Sequence, residues 1–325
     1  MAFAIRVHEF GGPEVLKYEE VTVGPPGPGE AKIRHTAIGL NFIDTYFRTG
    51  LYQPAGGLPF TPGNEAAGVV VEVGEGVSDL RPGDRVAYGA STGSYCTERR
   101  IPAAALVKLP STIPDETAAA MMLKGMTARY LLRQTHKVKA GDTILVHAAA
   151  GGVGLILCQW ASHIGATVIG TAGSPEKVAL AKANGAAYVI DYSKDDFVAQ
   201  VKEITDGALC DVVYDGVGQA TYPGSLDCIR PRGLFVSFGN ASGPITNFNL
   251  LSLSQKGSLY ATRPTLNTHI ATRETLLATA NDLFDVVGSG VVKIAVEQRY
   301  RLPDAAQAHR DLEARRTTGS TVLLP

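Results

Sequence analysis

The stretch from Thr143 to Leu155, TILVHAAAGGVGL, has the residue types and spacing that most clearly indicate a chemistry. Its first four residues are apolar or β-branched, which is typical of a buried parallel strand. Ala149, Gly151 and Gly154 then have the spacing of a dinucleotide fingerprint, with alanine in the first glycine position. Small residues let the backbone approach a pyrophosphate, and the N–H groups that open a helix from Val153 point at its charge. We therefore predict a dinucleotide cradle.

The elements around this motif determine whether it can work as a cradle. After Gly165 a second strand is predicted at 166–171, which completes a strand, helix, strand unit of the expected length. Further strands are predicted near 188–190, 211–214, 234–237 and 258–261, separated by helical or loop segments. Together they predict a six-stranded parallel sheet, which is a full dinucleotide-binding domain.

The rest of the chain has a different texture. Up to about residue 120, short apolar runs alternate with turn signals such as Gly11-Gly-Pro13 and Arg81-Pro-Gly-Asp84, which predicts a compact β-rich domain. The tail contains a predicted helix at 273–287 and a predicted strand at 320–324, and it is too short to form a domain of its own. We expect residues 1–123 and 265–325 to form one domain and residues 124–264 to form the dinucleotide domain.

Composition limits the classes of partner. The chain has 325 residues with 30 basic and 31 acidic side chains, so no nucleic-acid or anionic-membrane surface is indicated. The first residues resemble an edge strand rather than a signal peptide, and no apolar run approaches the ~18 residues of a membrane span. The four cysteines, Cys96, Cys158, Cys210 and Cys228, are far apart in sequence and are expected to be reduced packing residues. A cytoplasmic protein with small-molecule partners is expected.

Several motifs in order resemble a known family. Gly63-Asn-Glu-Ala-Ala-Gly68, Pro82-Gly-Asp-Arg-Val86 and the cradle resemble the medium-chain dehydrogenase/reductase superfamily over the whole chain. Within that superfamily, Asn41 to Tyr46, Ser237 to Asn240 and Lys256 to Tyr260 are similar to zinc-free bacterial NADPH:quinone oxidoreductases of the zeta-crystallin type. The resemblance implies an α/β fold with a Rossmann-type doubly wound parallel sheet domain and a β-rich GroES-like catalytic domain.

Three residues depart from the zinc-dependent alcohol dehydrogenases of this superfamily. Where those enzymes hold zinc with cysteine and histidine, the matching positions here are Asn41, Asn64 and Lys124, and the four-cysteine structural zinc lobe is missing. Two amides and an ammonium cannot make a zinc site. We predict a metal-free enzyme whose substrate needs no Lewis acid. A quinone qualifies, because hydride addition gives an anion delocalised over an aromatic ring.

The resemblance also implies which residues border the nicotinamide and the substrate. These candidate catalytic residues are Asn41, Tyr46, Tyr52, Asn64, Lys124 and Thr127. Each tyrosine has the alternative of a core residue with a satisfied hydroxyl. Asp44 and Glu65 are expected to orient neighbours rather than to act as a catalytic pair, and His147 is expected to be a packed, hydrogen-bonded residue rather than a general base.

The loop after the second strand bears on the choice of cofactor. An NAD-binding domain usually ends this strand with Asp or Glu, whereas this chain has Ala172. Ser174 and Lys177 follow and suit a 2′-phosphate, although Ser174 before a proline also has the form of a helix N-cap. By resemblance, Tyr192 and Arg315 reach the same phosphate, so NADPH is preferred. The full set of predicted cofactor residues is Asn41, Tyr46, Thr127, Tyr130, Ala150, Gly151, Gly152, Val153, Gly173, Ser174, Lys177, Tyr192, Gly216, Phe238, Gly239, Asn240, Thr262, Arg263 and Arg315.

The sequence therefore predicts an NADPH-dependent, zinc-free quinone reductase. A reductase of α,β-unsaturated carbonyls would use the same cleft, and a structural or RNA-binding nucleotide-binding protein is the alternative from another class, although no basic stripe interleaved with aromatic residues favours it. A homodimer joined through the dinucleotide domains is predicted, because a last strand near 258–261 would otherwise leave a long apolar edge exposed. The physiological acceptor, the number of electrons per transfer and the proton donor stay open.

Overall fold

The structure is a computed structural model that describes all residues from 1 to 325, and the chain divides into two units. The first comprises residues 1–126, 270–288 and 294–325, and the second comprises residues 127–269 and 289–293. Residues 265–269 belong to the second unit, where His269 stacks on Tyr130 with ring centroids 4.4 Å apart. Residues 289–293 belong there too, because the Lys293 amide donates to Gln159 at 2.8 Å. The boundaries after residues 126 and 269 lie a few residues from the predicted ones, whereas the return of residues 289–293 to the second unit was not predicted.

The elements are given in chain order. The strands that precede residue 127 are β1 (Ala2–Val7), β2 (Leu16–Val21), β3 (Glu30–Leu40), β4 (Glu65–Val73), β5 (Arg85–Gly89), β6 (Glu98–Pro102) and β7 (Val107–Lys108), and the helices that begin there are α1 (Phe42–Arg48) and α2 (Asp115–Tyr130). The second unit continues with β8 (Thr143–Val146), α3 (Gly152–Ile164), β9 (Thr167–Ala172), α4 (Pro175–Ala183), β10 (Tyr188–Asp191), α5 (Phe197–Ile204), β11 (Cys210–Asp215), α6 (Tyr222–Ser225), β12 (Ile229–Ser237), α7 (Leu251–Gln255), β13 (Tyr260–Thr262) and α8 (Leu266–His269). The tail contains α9 (Arg273–Gly288), β14 (Val296–Arg301), α10 (Ala305–Glu313) and β15 (Ser320–Leu324).

The first unit is built on a seven-stranded sheet with the order β14-β15-β3-β4-β5-β7, in which β6 also pairs with β3. The tail folds back on this sheet, since β15 runs antiparallel to β3. Gly68 allows β3 and β4 to approach, because a Cβ there would lie 2.3 Å from the Arg34 carbonyl oxygen. The core behind the sheet includes Ile33, Val86 and Leu323, all with at most 1% of their surface exposed. This sheet holds the end of β3 and the start of β4 in register.

The second unit contains the predicted six-stranded parallel sheet, with the order β10-β9-β8-β11-β12-β13. The apolar side chains of Leu145, Ile169 and Phe235 are buried in its core, and the carboxyl ends of all strands lie at one edge, where dinucleotides bind in such folds. The prediction was wrong about the last strand, because Ser258 has a left-handed φ of 57° and the strand covers only Tyr260–Thr262. Its free edge is therefore short, although the Tyr260 side chain is 64% exposed.

Two further findings concern the chemistry of the surface and interior. All four cysteines are buried and none forms a disulfide. No helix has both the length and the apolar composition that a membrane crossing requires.

Candidate functional site

Asn41 stands at the junction of β3 and α1 and begins the helix. Its backbone N–H donates to Asp44 Oδ2 at 2.9 Å, and its carbonyl oxygen accepts from the Asp44 N–H at 3.0 Å. This reciprocal arrangement is a helix-capping interaction that the Asn-x-x-Asp spacing allows. It fixes the Asn41 side chain, whose Nδ2 donates to Glu65 Oε2 at 2.8 Å.

Glu65, the first residue of β4, is completely buried and joins two of the predicted catalytic residues. Besides Asn41, it accepts a hydrogen bond from Lys124 Nζ in α2 at 2.7 Å, and its other oxygen accepts from the Leu123 N–H at 2.8 Å. A buried carboxylate needs such donors, because desolvation without them would be costly. Glu65 therefore holds the ammonium of Lys124 beside the amide of Asn41.

Asn64 is held in the same way by Asp44. Asn64 Nδ2 donates to Asp44 Oδ1 at 2.8 Å, and Asn64 Oδ1 accepts from Thr92 Oγ1 at 2.9 Å, so both polar atoms of this amide are engaged. The Tyr95 hydroxyl donates to Asp44 Oδ2 at 3.0 Å. Burial raises the pKa of Asp44 to about 6, although the hydrogen bonds from Asn64, the Asn41 N–H and Tyr95 oppose the rise. Asp44 and Glu65 thus accept hydrogen bonds from the neighbouring side chains and hold them in place.

This set of side chains does not fit a zinc ion. Asn41, Asn64 and Lys124 each direct N–H donors toward buried carboxylates, and an ammonium has no lone pair for a metal. The structure contains no group of three His, Cys, Asp or Glu side chains arranged to hold a metal ion. The chemistry at these positions is that of hydrogen-bond donors and one positive charge.

The two candidate tyrosines lie next to each other. Tyr46 is in α1 and Tyr52 follows it, and their rings meet edge to face with centroids 5.4 Å apart. The Tyr52 N–H donates to the Tyr46 carbonyl oxygen at 3.0 Å. Tyr46 is 9% exposed and Tyr52 is half-buried, so the pair forms a partly accessible aromatic surface on the first unit.

In the second unit, the turn between β8 and α3 has the tight backbone of a phosphate cradle. A Cβ at Gly154 would lie 2.3 Å from the Ala148 carbonyl oxygen, so only glycine fits there. Ala149, in the first fingerprint position, has its side chain against Gly170 of β9, where an added Cβ would come within 2.7 Å. The alanine is accommodated because the neighbouring strand has a glycine. Helix α3 begins at Gly152, one residue before the predicted start, and has no acidic residue in its first turn, which favours a bound anion.

The loop after β9 brings four predicted cofactor residues together. The Ser174 hydroxyl accepts from the Lys177 N–H at 3.4 Å, so the N-cap predicted as the alternative is present. The Lys177 residue is half-buried rather than fully exposed to solvent. The Tyr192 hydroxyl lies over Gly173, where a Cβ would be 2.5 Å away. A cap and an anion site are compatible here, because the N-terminus of α4 points its amides at the same place.

A third group follows β11 and β12. The Gly216 carbonyl oxygen would be 2.3 Å from a Cβ at Gly239, and the Phe238 ring packs over Gly216. Arg263 Nη2 donates to Asn240 Oδ1 at 3.2 Å. The remaining predicted residues are Thr127 and Tyr130 in α2, Ala150, Gly151, Gly152 and Val153 in the cradle, Thr262 at the end of β13, and Arg315, which belongs to the first unit and follows α10.

His147 follows β8 and is buried. Its Nδ1 lies 3.0 Å from Thr171 Oγ1, and its Nε2 lies 3.0 Å from Ser225 Oγ. Burial lowers the pKa of His147, which favours the neutral ring. These contacts are those of a packed, hydrogen-bonded residue and not of an accessible general base.

Sequence reasoning missed the site contacts made by residues that are distant in sequence. Tyr95 and Thr92 reach Asp44 and Asn64 from a loop after β5, and no local spacing indicates either contact. The role of Asp44 had a signal, since it stands three residues after Asn41, as in a capping box.

Comparison with known proteins places this architecture. A profile described as "Alcohol dehydrogenase GroES-like domain" matches residues 27–142, and one described as "Zinc-binding dehydrogenase" matches residues 152–281. A quinone oxidoreductase from Pseudomonas aeruginosa is 55% identical over 326 aligned positions, which cover 100% of both chains. This chain belongs to the quinone oxidoreductase family of the medium-chain dehydrogenases/reductases. The membership confirms the predicted α/β fold with GroES-like and Rossmann-type domains.

Two other relatives of this chain bear on its cofactor and substrate. The crystal structure of the Escherichia coli quinone oxidoreductase complexed with NADPH is 50% identical, has a TM-score of 0.97, and the match covers 99% of this chain and 100% of that one. A 2-haloacrylate reductase from a Burkholderia species is 47% identical, with 100% of this chain and 99% of that protein covered. Despite the description of the second profile, Asn41, Asn64 and Lys124 of this chain present amide and ammonium donors, which are not zinc ligands.

Proposed function

We propose that this chain reduces quinones with NADPH and without a metal ion. The observation that carries the proposal is the buried ammonium of Lys124, fixed by Glu65 beside the Asn41 amide, at positions matched to the metal ligands of zinc dehydrogenases. The full-length similarity to quinone oxidoreductases, one of them solved with NADPH, supports it.

Three loops of the second unit would contribute ligands for the cofactor. When bound, NADPH supplies a hydride to the acceptor. The N–H groups from Ala150 to Val153 would bind the pyrophosphate at the start of α3. The 2′-phosphate would be bound by Ser174, Lys177, Tyr192 and Arg315. Strand β9 ends in Ala172 rather than in Asp or Glu, so no negative side chain there would repel the phosphate. Gly216, Phe238, Gly239, Asn240, Thr262 and Arg263 would contact the nicotinamide half together with Asn41, Tyr46, Thr127 and Tyr130.

The acceptor would be bound by donors and aromatic surfaces. The ammonium of Lys124 and the amide of Asn41 would donate hydrogen bonds to the quinone oxygen that becomes negative. Glu65 keeps both groups in place, and Asn64 is positioned by Asp44. The Tyr46 and Tyr52 rings would pack against the flat substrate. Because the product anion is delocalised, water can protonate it, and the site needs no strong acid.

A second candidate, reduction of α,β-unsaturated carbonyl or carboxyl compounds, is supported by the similarity to 2-haloacrylate reductase. This reaction makes an enolate that must be protonated at carbon, so it gains more from a positioned acid. The buried Asp44 and Glu65 are engaged as hydrogen-bond acceptors, which favours the quinone.

One experiment separates the two. The purified chain is assayed with a panel of benzoquinones, naphthoquinones, cyclic enones and a 2-haloacrylate, each with NADPH and with NADH. We expect the highest kcat/KM for a quinone with NADPH. A kcat/KM at least tenfold higher for an enone or the haloacrylate would replace the proposed substrate class, and equal values with NADH would remove the cofactor preference.

Assembly and compartment complete the proposal. We propose a homodimer joined through the Rossmann-type units, supported by the free edge of β13 and the exposed Tyr260 ring beside it. A three-residue edge is a small contact, so neighbouring exposed apolar side chains, Leu250 and Leu251, would contribute. Sedimentation that shows only monomer at micromolar concentration would reject the dimer. The unpaired buried cysteines support a reducing, cytoplasmic location.

A further inference from the structure

Four side chains form one hydrogen-bonded chain beneath the carboxyl ends of the central strands of the second unit. Thr171 is near the end of β9, His147 follows β8, Ser225 ends α6 and Asp215 ends β11. The contacts are Thr171 Oγ1 to His147 Nδ1, His147 Nε2 to Ser225 Oγ, and Ser225 Oγ to Asp215 Oδ2, each 3.0 Å. All four residues are at most 2% exposed. No water can therefore replace a missing partner easily.

Two acceptors, the Asp215 carboxylate and the Thr221 carbonyl oxygen, set the direction of the protons in this chain. Asp215 Oδ1 accepts from the N–H groups of Val217 and Gly218 at 2.8 and 2.9 Å, and Oδ2 accepts from the Thr221 hydroxyl at 2.8 Å. Ser225 Oγ lies 3.0 Å from Asp215 Oδ2 and 2.9 Å from the Thr221 carbonyl oxygen. The carbonyl oxygen can only accept, and the Asp215 carboxylate already accepts three other hydrogen bonds, so the Ser225 hydroxyl proton is directed to these oxygens and not to His147.

The histidine tautomer follows from the direction set at Ser225. With its own proton directed to Asp215 or the Thr221 carbonyl oxygen, Ser225 Oγ accepts from His147, so His147 carries its proton on Nε2. Burial keeps the ring neutral by lowering the pKa of His147, which leaves Nδ1 as an acceptor for the Thr171 hydroxyl. The order of donation is thus Thr171 to His147, His147 to Ser225 and Ser225 to Asp215.

These residue types also occur in hydrolase triads, but the connectivity is different. In a triad, the carboxylate binds the histidine and the serine proton is directed to the histidine. Here the carboxylate binds the serine, and the serine proton is directed away from the ring. Because Ser225 is also completely buried, the set cannot act as a nucleophile.

Each end of the chain lies beside a loop with a separate task in the proposed function. Thr171 is the second-last residue of β9, which leads into the loop with Ser174, the proposed 2′-phosphate ligand. At the other end, Asp215 fixes the N–H groups that follow Gly216, and Gly216 packs against Phe238. We infer that Thr171, His147, Ser225 and Asp215 are positioning residues that couple the 2′-phosphate loop to the nicotinamide loop. This inference rests on the proposed NADPH function.

Two near-isosteric substitutions test the coupling. Thr171→Val removes the donor to His147, and Ser225→Ala removes the link between His147 and Asp215. Each should weaken NADPH binding, measured by isothermal titration, by about 2- to 12-fold, as expected for one hydrogen bond. Thr171→Val should affect NADH less, because NADH has no 2′-phosphate, whereas Ser225→Ala should affect both cofactors.

The double variant distinguishes coupling from independent damage. If the four residues act as one chain, the loss of NADPH affinity in Thr171→Val/Ser225→Ala is clearly smaller than the product of the single losses. Thr205→Val is the matched control, since its hydroxyl is bonded to the Val201 carbonyl at a helix end in the same unit and should leave both dissociation constants unchanged. Losses that multiply fully would overturn the coupling.

A second readout does not depend on cofactor binding. In the cofactor-free protein, ¹⁵N NMR of the His147 ring should show the proton on Nε2, and Ser225→Ala should allow the Nδ1-protonated tautomer to appear. A proton on Nδ1 in the unaltered protein would overturn the inference even if NADPH binds. Failure of the unaltered protein to bind NADPH would instead reject the proposed function, while the tautomer would still decide the hydrogen-bond chain.

Discussion

The buried ion pair between Lys124 and Glu65 allows a quantitative test of the site. Glu65 is completely buried, and Lys124 Nζ lies 2.7 Å from its Oε2. Lys124→Met leaves the carboxylate with only the Asn41 amide and the Leu123 N–H as donors. Glu65→Gln leaves the ammonium without its counter-charge. Removal of one partner of a buried pair costs about 3–5 kcal/mol. In a unit of about 150–250 residues that corresponds to a melting temperature roughly 6–20 °C lower.

The double variant Lys124→Met/Glu65→Gln decides the interpretation. With both charges gone, no unpaired charge stays buried, so the double variant should lose less stability than either single variant. Differential scanning calorimetry gives the melting temperatures, and quinone reduction should be lost in all three variants. Lys108→Met is the control, because Lys108 pairs with Asp84 at 2.8 Å while half-exposed, and it should cost at most about 1 kcal/mol. Additive losses in the double variant would refute the reasoning.

Four further outcomes are expected. Lys177→Ala should weaken NADPH binding by roughly 10- to 150-fold, through the loss of a charge-assisted hydrogen bond to the 2′-phosphate, and should leave NADH binding unchanged. The control variant Lys182→Ala should bind both cofactors as the unaltered protein does. Equal losses of NADPH and NADH affinity in Lys177→Ala would show a role in loop stability alone. Elemental analysis should find no stoichiometric zinc, and a chelator should not slow turnover, because Asn41, Asn64 and Lys124 carry no zinc-binding groups. One zinc per chain would contradict this interpretation. Burial lowers the pKa of His35 to about 4 and that of His309 to about 3, so the stability from each neutral ring is present above pH 6.5 and is lost as the pH falls toward those values. Burial raises the pKa of Asp44 to about 6, and its stability contribution is lost as the pH rises from 3.8 to 6. In Asp44→Asn, the free energy of unfolding measured with urea should therefore fall more steeply as the pH is lowered from 6 to 4. An unchanged slope would contradict this assignment.

Local patterns predicted the parallel strands and the turn between β8 and α3 well. The apolar run at β8, the glycines after it and the cap at Ser174 depend on spacings of a few residues, which the geometry of strands and helix ends fixes. The tail was predicted less completely, since β14 and α10 were not recognised. Strand β14 alternates half-buried with exposed residues, so its apolar pattern is weak and its position depends on pairing with β15.

The amino-acid sequence by itself determined the fold class, the dinucleotide fingerprint and the replacement of zinc ligands by Asn41, Asn64 and Lys124, because residue identity alone decides whether a side chain can bind a metal. Only the tertiary structure decided which carboxylate holds each of these groups. Glu65 and Lys124 are 59 positions apart, and His147 and Ser225 are 78 apart, so no periodic pattern links them. Such pairs form because packed strands and helices bury polar atoms together, and a buried donor must find its acceptor.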